Sequence, residues 1–289
     1  MARGLAYIIL AHKLPNQLAR LVAALHTDDD LFVLHIDAKT DVEPFRDALR
    51  DRGLRRPNIR LLEPRQRVNW GDYGTVRASL AGLRAALEAS DLWDHAVLLS
   101  GQCYPIKPRD QIARTLAEAG ERSFLSTAPT TDFRRLTHHH FQIAGRRVTV
   151  PNRFTAGLPL PRRLPFGLKP RHGSAWWALR REAADWFVDY DAANPELRRF
   201  FRSAFIPDEY FYQVLSQASP FADRIINEEL HFIDWDGWHP RVLQTADAPA
   251  LMRSPALFAR KFDESVDAAV LDQLDGHLAG REQEVGAPG

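Results

Sequence analysis

The chain has 289 residues, enough for one large α/β domain or two smaller ones. Its 45% hydrophobic and 26% charged residues describe a globular protein with a full core, and a net charge of +1 gives no global attraction for nucleic acid or an anionic membrane. The single cysteine, Cys103, excludes an intramolecular disulfide and a cysteine-based zinc site, and suits a cytoplasmic home.

The N-terminal run "LAYIILA" (5–11) is seven residues long and meets His12-Lys13 with no small-residue cleavage site beyond, so it reads as a first β-strand rather than a signal peptide. A helix follows over 15–26, with Leu18, Leu21, Val22 and Leu25 on one face. Strand 31–36, a short helix 42–52, strand 58–63, helix 74–90 and strand 95–100 continue the alternation. No segment reaches the length of a membrane span. Continuous apolar strands alternating with helices predict an α/β fold, a Rossmann-like and mostly parallel sheet with helices on both faces. Such sheets bind ligands beyond the carboxyl ends of their strands. Those ends read "AHK", "HIDAK", "EPRQRVNWGDYG" and "SGQCYP", polar and glycine-rich clusters of the kind a nucleotide needs.

Residues 127–172 are irregular, with Pro, Gly and Arg concentrated in "PNRFTAGLPLPRRLPFGLKPRHG". A strand at 174–180, helices at 181–191, 195–204 and 207–216, a strand at 230–235 and a last helix at 264–279 complete the expected elements. The reading gives a single domain over 1–280 in two halves, 1–126 and 127–280, with a frayed tail at 281–289.

Several stretches carry chemistry. In "AFIPDEYFYQVL" (204–215), Asp208 and Glu209 follow Pro207 ahead of an aromatic run. They can cap a helix start, or one of them can accept a proton. An Asp-x-Asp pair after the fourth strand would hold a divalent cation on a diphosphate, but that slot reads "SGQCYP", with no carboxylate. Asp-x-Asp pairs recur at Asp28/Asp30, Asp189/Asp191 and Asp234/Asp236, a spacing that arises often by chance, and only the last follows an apolar strand. If no metal neutralises a diphosphate, cations must, and "LFARKFD" offers Arg260 and Lys261, with Arg241 and Arg253 upstream. His138–His140 make a poor metal site, because adjacent strand residues point to opposite faces. Cys103 reads as a packed thiol, and Arg134-Arg135 and Arg146-Arg147 as surface. Trp70, Trp235 and Trp238 sit in loop-like contexts where a ring can stack on a base or a sugar.

Taken together, "AYIILAHKLPNQ", "LHIDAKTD", "VNWGDYGTVRASLAGLRAAL", "VLLSGQCYPIKP", "HGSAWWALRRE", "IPDEYFYQ", "IDWDGWHPRVL" and "ALFARKFD" run in order across about 7–263. On these stretches the chain resembles the core-2/I-branching β-1,6-N-acetylglucosaminyltransferases and the related protein O-xylosyltransferases. The resemblance implies a GT-A-type fold and an inverting, metal-independent transfer from a UDP-sugar to a carbohydrate or glycoconjugate acceptor, with no cofactor. It places the general base at the Glu of a Pro-Asp/Ala-Glu motif, here Glu209, with Asp208 as its neighbour at the substrate. The uracil and ribose fall to His12, Asp37, Trp70 and Gly71, with Ser100 and Gly101 beside the donor. The diphosphate falls to Arg260 and Lys261, with Arg241 at a basic position after His-Pro. Trp176 lines the sugar and acceptor side with Trp235 and Trp238. The first half becomes the nucleotide-binding half and the second the acceptor and catalytic half.

Two departures from the family pattern stand out. Many relatives have Asp where this chain has Cys103. The xylosyltransferases carry Asp within Gly-Ser-x-Trp where this chain has Ala175, which favours N-acetylglucosamine over xylose as the donor sugar. The chain shows neither the membrane anchor nor the many cysteines of secretory-pathway relatives and resembles a soluble, bacterial-style member. Peripheral association with the inner membrane face is the further expectation, from Arg153, Arg162, Arg163, Lys169 and Arg171 among apolar residues of the 151–172 loop. Two rival readings are a metal-dependent transferase using Asp234 and Asp236, and a non-catalytic nucleotide- or carbohydrate-binding domain.

Overall fold

The computed structural model describes residues 4–130, 134–143, 146–150, 163–237 and 239–286. The first half follows the expected alternation to within two residues at every boundary: β1 (Gly4–Ala11), α1 (Pro15–Leu25), β2 (Leu31–Ile36), α2 (Glu43–Asp51), β3 (Ile59–Leu61), α3 (Gly74–Ala89) and β4 (Trp93–Ser100). Then come β5 (Cys103–Pro105), α4 (Arg109–Glu118), β6 (Ser123–Leu125), β7 (Ala128–Pro129), α5 (Arg134–Thr137) and the antiparallel pair β8 (His139–Ile143) and β9 (Arg146–Val150). The remaining elements are β10 (Arg171–His172), β11 (Trp177–Arg180), α6 (Arg181–Ala193), α7 (Pro195–Phe201), α8 (Phe211–Leu215), β12 (Ile225–Ile226), β13 (His231–Ile233), β14 (Trp235–Asp236), β15 (His239–Pro240), α9 (Ala248–Arg253), β16 (Phe258–Arg260) and α10 (Ala269–Gly286).

The central sheet has seven strands in the order β12-β6-β11-β4-β1-β2-β3. β4, β1, β2 and β3 are parallel, β11 enters antiparallel between β4 and β6, and β12 lies parallel to β6. This is the mostly parallel α/β sheet that the apolar strands predict. Alternate residues of β1, β2 and β4 face opposite sides. Tyr7, Ile9, Phe32, Leu34 and Leu99 pack with Leu18, Leu21 and Val22 of α1 and Leu271 and Leu274 of α10, whereas Ile8, Val33 and Leu98 pack with Val76 and Leu83 of α3, Phe187 of α6 and Tyr212 of α8. Both faces are therefore covered, which is why these strands read as unbroken apolar runs. Gly82 lets α3 settle on β1, since a Cβ there would lie 2.4 Å from Ile8 Cγ2. No helix among the described residues is long and apolar enough to cross a membrane.

The second half departs from its sequence reading in three places. The expected helix 207–216 is broken into a 3-10 turn at Pro207–Glu209, α8, and a second 3-10 turn at Ser216–Ala218, with Tyr210 at φ −131° between the first two. The expected strand 230–235 stops at Ile233, and Trp235 begins a separate two-stranded pair. The last helix starts at Ala269 rather than 264, because the Asp263 and Asp267 side chains accept the N–H groups of Ser265 and Val270 and cap turns there, and it continues past 280.

A three-stranded sheet, β13-β16-β5, carries Arg260 beside the ends of the main strands. Gln17, fully buried on α1, fastens it there: its amide donates to Gly101 O at 2.9 Å and to Phe262 O at 3.2 Å. The amino-terminal end of the central strands is held by charge. Arg109 at the start of α4 grips the buried Asp30 with two nitrogens, at 2.7 and 2.5 Å, while Asp30 accepts the Leu5 N–H at 2.7 Å. Arg109→Met should cost about 3–5 kcal/mol of stability in urea unfolding, because it strands a buried carboxylate, and should leave the strand carboxyl ends unaltered. A loss under about 1 kcal/mol would show that solvent, not Arg109, stabilises Asp30.

Candidate active site

The carboxyl ends of β1, β2 and β4 bring His12, Asp37, Ser100 and Gly101 to one edge of the sheet. The Asp37 N–H donates to Ala11 O and the Gly101 N–H to Leu10 O, each at 2.9 Å, so the strands stay locked one residue past their ladder. Asp37 is buried, and its Oδ1 accepts the Lys39 N–H at 2.8 Å. The Ser100 hydroxyl lies 3.3 Å from Cys103 Sγ, and the fully buried Cys103 is the packed thiol expected.

Glu209 is built by long-range contacts rather than by a helix. The Ile206 N–H donates to Gly71 O at 3.0 Å, and Ile206 takes φ 52°, a strained region for a β-branched residue. Gly71 itself sits at φ +75°, where a Cβ would lie 2.6 Å from Phe205 Cε2. The chain then turns through Pro207–Glu209 in a 3-10 turn. The two carboxylates therefore do not lead the aromatic helix, as the sequence suggested, but precede it in a separate turn. Arg135 Nη1 donates to Glu209 Oε2 at 2.9 Å and His172 Nε2 lies 3.0 Å from the same oxygen. Glu209 Oε1 has no hydrogen-bond partner among the described residues. The Gly173 N–H donates to Glu209 O at 3.0 Å, and a Cβ on Gly173 would fall 1.8 Å from Ser126 O, so only glycine fits between them. Arg135 is no surface residue, contrary to its sequence reading. It is half-buried, and 74 residues separate it from the carboxylate it holds, so no local signal announces the pair.

Cations face this carboxylate turn. The Arg260 guanidinium stacks 4.5 Å over the Trp176 ring, and its Nε is buried without a hydrogen-bond partner. Neither Arg260 nor Lys261 has an ion-pair partner among the described residues. Burial, then the charges of Lys13 and Arg260, lower the Lys261 ammonium below its ordinary range. Burial, then Lys13 and in smaller measure Lys261, lower His12 in the same way, with Asp37 opposing. Lys13 is itself fixed to Asp263 at 2.6 Å. A crowd of cations on which neighbouring cations weigh is an arrangement suited to an anion.

The aromatic side is more open. Trp70 is 61% exposed, set edge-on to Phe205 at 5.4 Å and 5.8 Å from His239, so the β14–β15 pair reaches the Gly71 turn. Trp235, on β14, is 54% exposed. Trp238 lies outside the described residues, as do Arg153 and Arg162 of the basic loop. Arg241 does not stand free: it bridges Asp234 at 2.6 Å and Asp247 at 2.8 Å. A third carboxylate, missed in the sequence, completes the site. Glu229 Oε1 accepts the Ser174 hydroxyl at 2.6 Å, and burial raises its carboxyl above the usual range.

The Core-2/I-Branching enzyme family model matches residues 5–251. The chain belongs to the Core-2/I-branching enzyme family. Among curated proteins it is similar to Xylosyltransferase 1 of Rattus norvegicus, 25% identical over 99% of this chain and 36% of that protein, and to Xylosyltransferase 2 of the same species, 25% identical over 96% of this chain and 34% of that protein. A Xylosyltransferase of Ciona intestinalis is 25% identical over 96% of this chain and 34% of its own length. The chain thus spans about a third of the length of the curated relatives it matches. Among solved structures, a 4-diphosphocytidyl-2C-methyl-D-erythritol synthase from Anaerococcus prevotii aligns at a TM-score of 0.37 and 13% identity, over 69% of this chain and 83% of that one. The mixed, mostly parallel sheet of this Core-2/I-branching enzyme family member is of the GT-A type.

Asp208 gives the site a pH signature. It keeps some solvent contact, yet the atoms crowding it, then the charge of Glu209, push its carboxyl up to about 7. The unfolded chain releases this proton near pH 4. Between about pH 4 and 7 the folded chain holds a proton that the unfolded chain has lost, so this group subtracts stability as pH rises through that window. Asp208→Asn should match wild-type stability near pH 4 and exceed it at pH 8 in urea unfolding. A difference that is the same at both pH values would contradict the shift.

Proposed function

We propose that the chain is an inverting, metal-independent glycosyltransferase that moves a sugar from a UDP-sugar to a hydroxyl of a glycan or glycoside. The observation that carries this reading is the asymmetry of Glu209. Arg135 and His172 occupy Oε2 and leave Oε1 to an acceptor hydroxyl. Glu209 then takes the hydroxyl proton as the acceptor oxygen bonds to the anomeric carbon, and the bond from that carbon to the diphosphate breaks with UDP leaving. The charge that develops on the departing diphosphate falls to Arg260 and Lys261, whose donors no carboxylate among the described residues occupies. Asp37 and His12 suit the uracil and ribose beyond the strand ends.

Two donor sugars suit the reading. Ala175 in the Gly-Ser-x-Trp stretch favours N-acetylglucosamine, while the named activity of the curated relatives favours xylose. The metal-dependent alternative draws less support, since Asp234 is engaged by Arg241 and would have to leave it to bind a cation.

Calorimetry with UDP, UDP-N-acetylglucosamine and UDP-xylose, in EDTA and then with Mn²⁺, tests the reading. Binding should be unchanged by EDTA, and the tighter sugar nucleotide names the donor. Binding that appears only with Mn²⁺ would move the diphosphate to Asp234 and Asp236. Glu209→Gln should keep UDP affinity and lose about 10²–10⁴-fold in kcat. UDP binding with no transfer or hydrolysis by the wild type would make the chain a binding domain.

A further inference from the structure

Glu229 lies on the link from β12 to β13, in a part of the chain where no family stretch drew attention to it. Its position is fixed from both sides. On one side, Leu230 O accepts the N–H groups of Leu257 and Phe258 at 3.0 and 3.1 Å, tying the link to the strand that carries Arg260. The His231 ring, next along, packs 5.6 Å from Trp176 and 5.3 Å from Phe258. On the other side, Ser174 donates its hydroxyl to Glu229 Oε1 and accepts the Trp176 N–H at 3.3 Å, while Gln213 Nε2 donates to Ser174 O at 2.7 Å. Ser174 follows Gly173, whose N–H holds the Glu209 backbone. Glu229 is thus mechanically joined to the carboxylate turn and to the Trp176–Arg260 stack at once.

We propose that Glu229 accepts a hydrogen bond from a hydroxyl of the transferred sugar and so sets donor preference, an inference that rests on the donor reading above. In an in-line displacement the base and the leaving phosphate lie on opposite sides of the anomeric carbon, so the sugar ring occupies the space between Glu209 and Arg260. Glu229 lies within electrostatic reach of both. Its Oε1 is committed to Ser174, and its Oε2 has no hydrogen-bond partner among the described residues. A half-buried carboxylate with one oxygen anchored and one unengaged is a rigid acceptor for a hydroxyl. Such a group discriminates strongly, since a sugar that offers no donor there leaves it desolvated and unpaired. It also supplies a carboxylate beside Ala175, a position that can offer none.

The test compares UDP with UDP-N-acetylglucosamine, UDP-xylose, UDP-glucose and UDP-galactose by calorimetry on the wild type, Glu229→Gln, Glu229→Ala and Ser174→Ala, with thermal unfolding to confirm each fold. For both Glu229 variants, UDP affinity should stay within about 3-fold, while the gain in affinity that the preferred sugar adds to UDP should fall by about 10-fold or more and the ranking of sugars should flatten. Ser174→Ala frees the Glu229 carboxylate without removing it, so it should weaken the preferred sugar nucleotide by a smaller factor and keep the ranking. An unchanged ranking in the folded Glu229 variants overturns the inference and leaves the transferase reading intact. Equal weakening of UDP and of every UDP-sugar also overturns it, by showing that Glu229 acts on the diphosphate through Arg260. A wild type that binds UDP but gains nothing from any sugar overturns both readings.

Discussion

The site depends on one backbone contact, the Ile206 N–H to Gly71 O hydrogen bond, with the Phe205 ring pressed under Gly71. It joins two segments that sequence separates by more than a hundred residues. One is the turn before α3 that carries Trp70; the other is the turn that carries Asp208 and Glu209. The join asks for two uncommon backbone states, Gly71 at φ +75° and Ile206 at φ 52°. A left-handed β-branched residue costs on the order of 1–3 kcal/mol, so packing must over-determine it. Phe205, Trp70 and the Arg135 guanidinium 5.9 Å over the Phe205 ring supply that packing. The strain is local to the turn that carries Asp208 and Glu209, and it fixes the direction of that turn.

Charge divides the cleft into two territories. Asp208, Glu209 and Glu229 gather on the turn side, and Arg260, Lys261 and Lys13 on the strand side, with Trp176 between them under the Arg260 guanidinium. Within each territory like charges weigh on one another: Glu209 raises Asp208, and Lys13 and Arg260 lower Lys261. The two territories do not neutralise each other by direct ion pairs. A protein that merely needed stability would close Arg260 onto Asp208 or Glu229. Keeping them apart leaves a gap with cations on one side and carboxylates on the other, the division of charge on which the proposed transfer rests.

The parts of this arrangement that could be read from sequence are those with a local cause. β1 and β2 were legible because both of their faces are buried, and Arg260-Lys261 stood out as cations between apolar residues. Glu209 was legible from its motif, but its setting was not. The Ile206–Gly71 bond sets where the turn begins, and Tyr210, at φ −131°, separates the carboxylate turn from α8 where the aromatic spacing of 210–215 presents one continuous helix. Arg135 looked like surface because the carboxylate it serves is 74 residues away. α4 went unread because only Ile112 and Leu116 of its ten residues are buried, too sparse a stripe to register. Arg241 appeared free for a phosphate, but the turns on either side of it fold Asp234 and Asp247, seven and six residues away, onto its guanidinium. Glu229 had no signal at all, since its partner Ser174 and its neighbour Arg260 converge only in the fold.

Cys103 shows how one substitution shapes such a gap. In the antiparallel pairing of β5 with β16 it stands directly opposite Arg260, so the two side chains share a face of that small sheet. The family resemblance expects Asp at this slot. A carboxylate there would lie beside the guanidinium and compete for it. A thiol cannot: Cys103 Sγ accepts the Ser100 N–H at 3.3 Å, closes the end of β4 and packs into the core. Arg260 is left with Trp176 as its main support, a ring that attracts the cation without using its N–H donors. The Arg260 donors therefore stay clear of a carboxylate at this slot, and the carboxylate nearest the Trp176–Arg260 stack comes instead from the link between β12 and β13, where Glu229 stands.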